Sequence, residues 1–133
     1  MEDQTLIVLK PDSVQRNLIG NIVGRFEQNG FVVKKLRMLT MNREEAEKFY
    51  SVHREKPFFN ELVSFITSGP IVAAIVEGSD AVNKVRKVIG ATEPSEAAPG
   101  TVRKDFGISI TQNAIHASDS HESFIKESKV IFG

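Results

Sequence analysis

The stretch "TLIVLKPDSVQRNLIGNIVGRF" (residues 5–26) decides what kind of sheet this chain builds. Thr5 to Lys10 form a compact apolar run stopped by Pro11, the pattern of a buried strand. Past the proline, Ile19, Ile22, Val23 and Phe26 recur at helical spacing, and Asn29-Gly30 supplies a C-terminal stop. A doubly wound parallel sheet also starts with a strand running into a helix, but it places a glycine-rich fingerprint at that junction. Here the junction reads K-P-D-S-V-Q-R, and the chain contains neither G-x-G-x-x-G nor G-x-x-x-x-G-K-[ST]. The strands are also few. Both observations favour a different architecture.

Farther along, "FVVKKLRMLT" (31–40) reads as a second strand. Asn42 with Glu45 three residues later has the form of a capping box, and Ala46, Phe49 and Tyr50 mark one face of the helix it opens. Pro57 opens another helical pattern carrying Phe58, Leu62, Phe65 and Ile66, closed by Gly69-Pro70. "IVAAIVE" (71–77) is apolar throughout and predicts a central strand. Ser79 is expected to cap a helix with Val82, Val85 and Ile89, ended by Gly90. "ATEPSEAAPGTVRKDF" (91–106) shows neither period and reads as a long loop, a feature that is usually functional or disordered. Either "GISIT" (107–111) or "NAIHA" (113–117) supplies a fourth strand, and the first alternates better. Ser120 to Phe132 form a last helix. The order is βαββαβ with additions. It predicts an α/β (α+β) sandwich of the ferredoxin-like kind, with a four-stranded, mainly antiparallel sheet, helices on a face, extra helices and a long loop near 91–106.

The chain has 133 residues, the size of one domain, and equal numbers of acidic and basic residues at 17 each. A net charge of zero argues against nucleic-acid or membrane-surface partners. The absence of cysteine excludes disulfides and thiolate chemistry. The longest apolar run, "IVAAIV" (71–76), is far too short to span a bilayer, and the acidic N-terminus lacks the basic region of a signal peptide. The expectation is a soluble, cytoplasmic protein.

Among three histidines, none has metal-ligand spacing with another. His53 and His121 stand among charged residues and read as surface positions. His116 lies in "NAIHASDS" (113–120), three residues after Asn113 and directly before residues that cap the last helix. The free N–H groups and positive dipole end of that helix favour an anion beside His116. Glu127, about two turns into the helix, is placed to hydrogen-bond the imidazole. A hydrogen-bonded turn histidine explains the same residues.

"NAIHASDS" is similar to the N-x-x-H-G-S-D-S signature of nucleoside diphosphate kinases. The likeness continues through nearly the whole chain: "VLKPDSVQRNLIGNIVGRFEQNGF" (8–31), "FYSVHREKPFFNELVSFITSGPIVAAIVEG" (49–78) and "VRKVIGATEPSEAAPGTVRKDF" (85–106) resemble that family's motifs in the right order. The resemblance implies a single kinase-like domain over residues 1–133 that passes the γ-phosphate of a nucleoside triphosphate to a diphosphate, by a ping-pong route through phosphorylated His116. It implies that Ser118 and Glu127 orient His116. Lys10, Tyr50, Arg86, Thr92, Arg103 and Asn113 contact phosphates, ribose or the nucleophile. Phe58 stacks on the base, with Leu62 and Ile110 completing an apolar clamp. It also places the fourth strand at "NAIHA", and implies that the long loop helps close the site.

Taken singly, these residues have plainer explanations. Lys10 can end a strand in solvent, Arg86 can lie on a solvated helix face, Tyr50 and Phe58 can be core, and Thr92 and Arg103 can be loop surface. Their joint occurrence moves them toward function. Phosphoryl transfer needs positioning and dispersed positive charge, and two arginines and a lysine supply it. Mg²⁺ is expected on the nucleotide phosphates, with no protein cage for it. The family implies a homo-oligomer, a dimer-based tetramer or hexamer, and apolar Val130, Ile131 and Phe132 are expected to be exposed for a partner. Ala117 stands where the family most often has glycine, and Ser13 where glycine or alanine often follows K-P-D. The other reading is a non-catalytic ferredoxin-like module that binds nucleotides or regulates.

Overall fold

A computed structural model describes residues 2–133. Strand β1 (Glu2–Leu9) leads into the short helix α1 (Pro11–Gln15) and then α2 (Ile19–Gln28). Strand β2 (Val32–Leu39), α3 (Arg43–Phe49), α4 (Phe59–Ile66), β3 (Ile71–Ser79) and α5 (Ala81–Ile89) follow. After them come α6 (Val102–Phe106), β4 (Ile115–Ala117) and α7 (His121–Phe132). The sheet order is β2-β3-β1-β4, and each neighbouring pair is antiparallel. This is the four-stranded ferredoxin-like arrangement that the order of elements predicts.

Helices cover both faces of the sheet, where the sequence suggested one. Ile7, Leu9, Val72, Ala74 and Val76 pack on Ile22 and Phe26 of α2 and Val85 and Ile89 of α5. Leu6, Val8, Ile71, Ala73 and Ile75 face Ala46 and Phe49 of α3, Val63 and Ile66 of α4, and Phe124 and Ile131 of α7. Successive side chains of a strand point to opposite faces, so two covered faces require a continuous apolar run. That is why β1 and β3 lack alternation.

Several boundaries differ from the sequence reading. The fourth strand is Ile115–Ala117, paired with β1 through Leu9↔Ile115, Val8↔His116 and Ile7↔Ala117. The better-alternating "GISIT" is a loop closed by the Ile108 N–H on the Gln112 carbonyl at 2.7 Å, and its Ile108 and Ile110 are exposed. Ser79 ends β3 and does not cap α5. The cap position belongs to Asp80 in the left-handed region (φ 51°), and the first free N–H of the helix, on Ala81, donates to Asp3 of β1 at 2.6 Å. Helix α4 starts at Phe59, after Pro57. The Asn42–Glu45 capping box forms with both of its hydrogen bonds.

The segment 91–106 is more ordered than its sequence suggests. It holds a 3₁₀ turn at Pro94–Glu96 and the five-residue α6, too short to display a helical period. Gly107 lets this segment fold closely on itself: a Cβ there would lie 2.5 Å from Pro94 and 2.6 Å from the Arg103 carbonyl. At the far end of the chain the expected exposed cluster does not appear. Ile131 is 1% exposed, Val130 and Phe132 are half-buried against the core, and the Arg37 guanidinium donates to the Ile131 carbonyl. Helical packing of α7 explains this, because the apolar stripe needed to cover the sheet includes these last residues. Among the described residues, no helix is long and apolar enough to cross a membrane.

Candidate active site

The end of β1 and the start of β4 lie side by side, and the side chains near this junction line a cleft of about 340 Å³. Lys10, Tyr50, Phe58, Leu62, Arg86, Thr92, Arg103, Ile110, Asn113, His116 and Glu127 all line it. They come from β1, β4, five helices or their flanks, and the segment after α5. Ser118, the remaining sequence-derived candidate, is fully buried behind the wall and reaches the site through Glu127.

His116 stands on β4 with its side chain about one-fifth exposed. Its Nε2 lies 2.9 Å from Oε1 of Glu127, and the Ser118 hydroxyl donates to the same oxygen at 2.7 Å. A carboxylate accepts only, so Nε2 carries the proton and donates, and Nδ1 keeps the lone pair. The ring is further fixed by edge contacts with Phe49 at 5.0 Å and Tyr50 at 6.2 Å between centroids. Rotation of the imidazole therefore breaks a hydrogen bond and two aromatic contacts.

Three cations surround this histidine. Lys10 is 4% exposed; its Nζ donates to Asn113 Oδ1 at 2.9 Å and to the Thr111 carbonyl at 3.3 Å. Burial pushes the Lys10 ammonium down to about 8, the charge of Arg103 adds to this, and Asp12 opposes it. Arg103 is anchored by its two Nη atoms, to the Gly90 carbonyl at 3.0 Å and the Ile115 carbonyl at 2.9 Å. Its Nε is buried with no hydrogen-bond partner among the described residues. Burial and then Arg86 bring its guanidinium down to about 10, so it remains charged at neutral pH. Arg86 is exposed on α5 and donates to the Ala117 carbonyl at 3.3 Å. Burying like charges together is unfavourable unless an anion joins them. The Tyr50 hydroxyl is raised by burial and then by Glu127, so it stays protonated.

The Asn113 amide donates to the Thr92 carbonyl at 3.0 Å, which ties the segment after α5 to β4. At the outer end, Phe58 (42% exposed) and Ile110 (57% exposed) present apolar surface, with Leu62 beside them. The sequence reading missed several neighbours. His53, read as a surface residue, lines the cleft with its ring 5.6 Å from that of Phe58. Glu61 also lines it and accepts from the Thr111 hydroxyl at 2.8 Å. Asp119 accepts from Ser123 at 2.7 Å, and that bond, with help from the Arg86 charge, holds its carboxyl below the usual range. The spacing of Asp119 from His116 was available as a signal, whereas the Glu61–Thr111 contact spans fifty positions and had none.

Among the described residues, no group of three or more His, Asp or Glu side chains is arranged to hold a metal ion. The donors of the cleft are chiefly cations and amides, and its carboxylates Glu127, Glu61 and Asp119 are hydrogen-bonded to protein groups. Such a set suits a polyanion that brings its own metal.

Comparisons with known proteins point to one family. The sequence profile described as "Nucleoside diphosphate kinase" matches residues 3–133. The chain is 55% identical to the nucleoside diphosphate kinase of Staphylothermus marinus over 130 residues, 98% of this chain and 92% of that protein. A crystal structure of the Aquifex aeolicus nucleoside diphosphate kinase superposes with a TM-score of 0.97 at 48% identity, covering 100% of this chain and 96% of that one. The Halobacterium salinarum nucleoside diphosphate kinase in complex with CDP superposes with a TM-score of 0.95 at 42% identity, covering 99% and 88%.

Proposed function

This chain belongs to the nucleoside diphosphate kinase family, and from that premise we propose that His116 is the nucleophile of its phosphoryl transfer. The chain is a nucleotide-binding phosphotransferase with nucleoside diphosphate kinase activity. The observation that carries the histidine assignment is the chain of hydrogen bonds from Ser118 through Glu127 to His116 Nε2. It leaves Nδ1 as the ring nitrogen with a lone pair to attack phosphorus.

In the first half-reaction, a bond from Nδ1 to the terminal phosphorus forms while the bond from that phosphorus to its bridging oxygen breaks. The diphosphate leaves with the bonding electron pair. The imidazole gains positive charge as it reacts, and the Glu127 carboxylate on Nε2–H offsets it. Lys10, Arg86 and Arg103 disperse the charge that builds on the phosphate oxygens, and they do so from positions already set by backbone carbonyls. In the second half-reaction, a terminal oxygen of an acceptor diphosphate attacks the phosphohistidine, and Nδ1 recovers its electron pair. Asn113 and Thr92 serve the sugar and phosphates, Tyr50 packs the nucleophile, and Phe58, Leu62 and Ile110 stack on the base.

The family implies a divalent metal, and we take it to be Mg²⁺ held by the nucleotide phosphates. When bound it neutralises phosphate charge and fixes the phosphate geometry. The whole chain acts as one kinase-like domain, in the cytoplasm, on nucleoside di- and triphosphates. It works as a homo-oligomer in which dimers build a tetramer or hexamer. Support comes from β2, an edge strand whose Val32, Leu36 and Met38 are each more than half exposed. The reading as a non-catalytic module leaves the Ser118–Glu127–His116 chain without a purpose.

The test is brief incubation with γ-labelled ATP. Acid-labile label on His116 that a second nucleoside diphosphate removes is the expected result, and His116→Ala, still folded, takes none. Label on another residue with full turnover overturns the assignment.

A further inference from the structure

Ala114 is fully buried, yet its φ is +79°. A left-handed backbone at a residue with a Cβ is unfavourable and persists only when its surroundings enforce it. The geometric consequence is large. In an extended chain, Asn113 shares a face with Ile115 and Ala117, opposite His116. Ile115 and Ala117 do face the core under α2 and α5. Asn113, however, lines the same cleft as His116. The turn at Ala114 breaks the alternation and brings both side chains to one side.

What enforces the turn is α1. The Ala114 N–H donates to Asp12 Oδ2 at 3.1 Å. The Ala114 carbonyl accepts from the Ser13 hydroxyl at 2.8 Å and from the Lys10 backbone N–H at 3.0 Å. Asp12 is 5% exposed and Ser13 fully buried, and neither lines the cleft. The second Asp12 oxygen has no hydrogen-bond partner among the described residues, while the Lys10 charge and the backbone N–H groups of Asp12 and Ser13 join Ala114 in favouring the ionised carboxylate. Of the groups that favour this carboxylate, Ala114 alone lies outside Lys10 and α1, so the contact with Ala114 is the one that ties α1 to the approach to β4.

We propose that Asp12 and Ser13 are positioning residues for phosphoryl transfer, gripping both polar atoms of the Ala114 peptide so that Asn113 and His116 point into one cleft. The inference rests on His116 being the nucleophile. Ser13 is this chain's own reinforcement, at a position where the resemblance places glycine or alanine. Neither residue touches substrate. Their contribution is to the rate of phosphorus capture at bound nucleotide, where misplacement by about 1 Å is worth up to about a hundredfold.

The experiment measures the rate of His116 phosphorylation in single turnover at pH 7, at saturating ATP, together with the nucleotide concentration for half-maximal rate. Asp12→Ala is expected to lower the rate about a hundredfold with the half-saturating concentration within about threefold of the parent. Asp12→Asn, whose amide oxygen still accepts from Ala114, is expected to recover most of that loss. Ser13→Ala should slow the step about threefold, and Ala114→Gly in that background should restore it, because glycine takes positive φ freely. Equal rates for Asp12→Ala and parent overturn the proposal. So does an Asp12→Asn variant as slow as Asp12→Ala, since the charge would then be acting on Lys10, and so does a Ser13→Ala loss that Ala114→Gly leaves unchanged. Hydrogen exchange of the Ala114 amide, expected to be faster in both Asp12→Ala and Ser13→Ala, is read independently of activity. A parent protein that takes no label at His116 defeats the nucleophile assignment, while the exchange measurement still judges the grip on Ala114.

Discussion

Lys10 is the residue at which the demands of folding and function are opposed. It is buried at the end of a strand, beside another cation, and its ammonium is down at about 8 against the ordinary 10.5. Between these values the unfolded chain holds a proton that the folded chain has released, so this group destabilises the fold fully below pH 8, and the penalty disappears as pH rises toward 10.5. Function runs the other way. Above pH 8 the free cleft loses one of its three positive charges. Nucleoside diphosphate affinity is therefore expected to fall between pH 8 and 9.5, and calorimetric titration checks it. Lys10→Gln should bind more weakly and show no such fall. An equally steep decline in Lys10→Gln would place the titration elsewhere. At His116 one hydrogen bond to a carboxylate sets the tautomer before any nucleotide arrives, and the proposed chemistry depends on it.

At the scale of the element, the segment between α5 and β4 does more than connect them. Its Gly90 has φ +89° and ψ −177°, a conformation open essentially to glycine alone. A Cβ there would lie 2.6 Å from the Thr101 hydroxyl and 3.1 Å from Ala97. The same residue's carbonyl holds Arg103. Gly90→Ala is expected to lower stability by about 1–3 kcal/mol and to weaken nucleotide binding as well, because the carbonyl moves with the strain. Thermal unfolding and nucleotide titration measure the two effects. Loss of stability with unchanged affinity would show that Arg103 is set by Ile115 alone. The Asn42 capping box illustrates a simpler case, in which four residues specify a helix start that tertiary contacts then leave in place.

For the whole molecule, two outcomes follow. The exposed edge of β2 presents Leu36 and Met38, each 57% exposed, on a strand with an unpaired side. A protein that uses this edge for assembly should have at least a dimer mass in solution scattering at micromolar concentration, and Leu36→Asp should reduce it. A monomer mass for the parent would count against the assembly. The second outcome concerns the base. Phe58, Leu62 and Ile110 offer π-stacking and apolar contact, which every base accepts. Glu61 and Thr111 bring polar atoms to the same cleft, but the Thr111 hydroxyl is bonded to the Glu61 carboxylate. Phosphorylation of His116 by ATP, GTP, CTP and UTP is therefore expected to differ modestly, with purines favoured by their larger stacking area. A preference of about ten-thousandfold for one base, the scale of hydrogen-bonded readout, would rule out stacking as the basis of recognition.

The sequence by itself determined the first three strands and the longer helices in their order, the central apolar strands and the capping box, because these depend on spacing within a few residues. It also carried the local pattern around His116 and, through the resemblance, the residues that line the cleft with it. Tertiary structure decided the rest. "GISIT" alternates like a strand, yet "NAIHA" lies against β1, because pairing is settled by the partner's register and by the turn at Ala114. Ser79 looks like a cap, yet Asp3, 78 positions from Ala81, accepts from the first turn of α5. Ser13 reads as a minor departure, and Asp12 as one letter of a motif. Their hold on a peptide about a hundred positions away is a contact between segments, and no local pattern encodes it. Local spacing specifies elements because backbone periodicity repeats every few residues. Contacts between distant segments are chosen by which packing leaves the fewest buried polar groups unpaired, and that is a property of the folded whole.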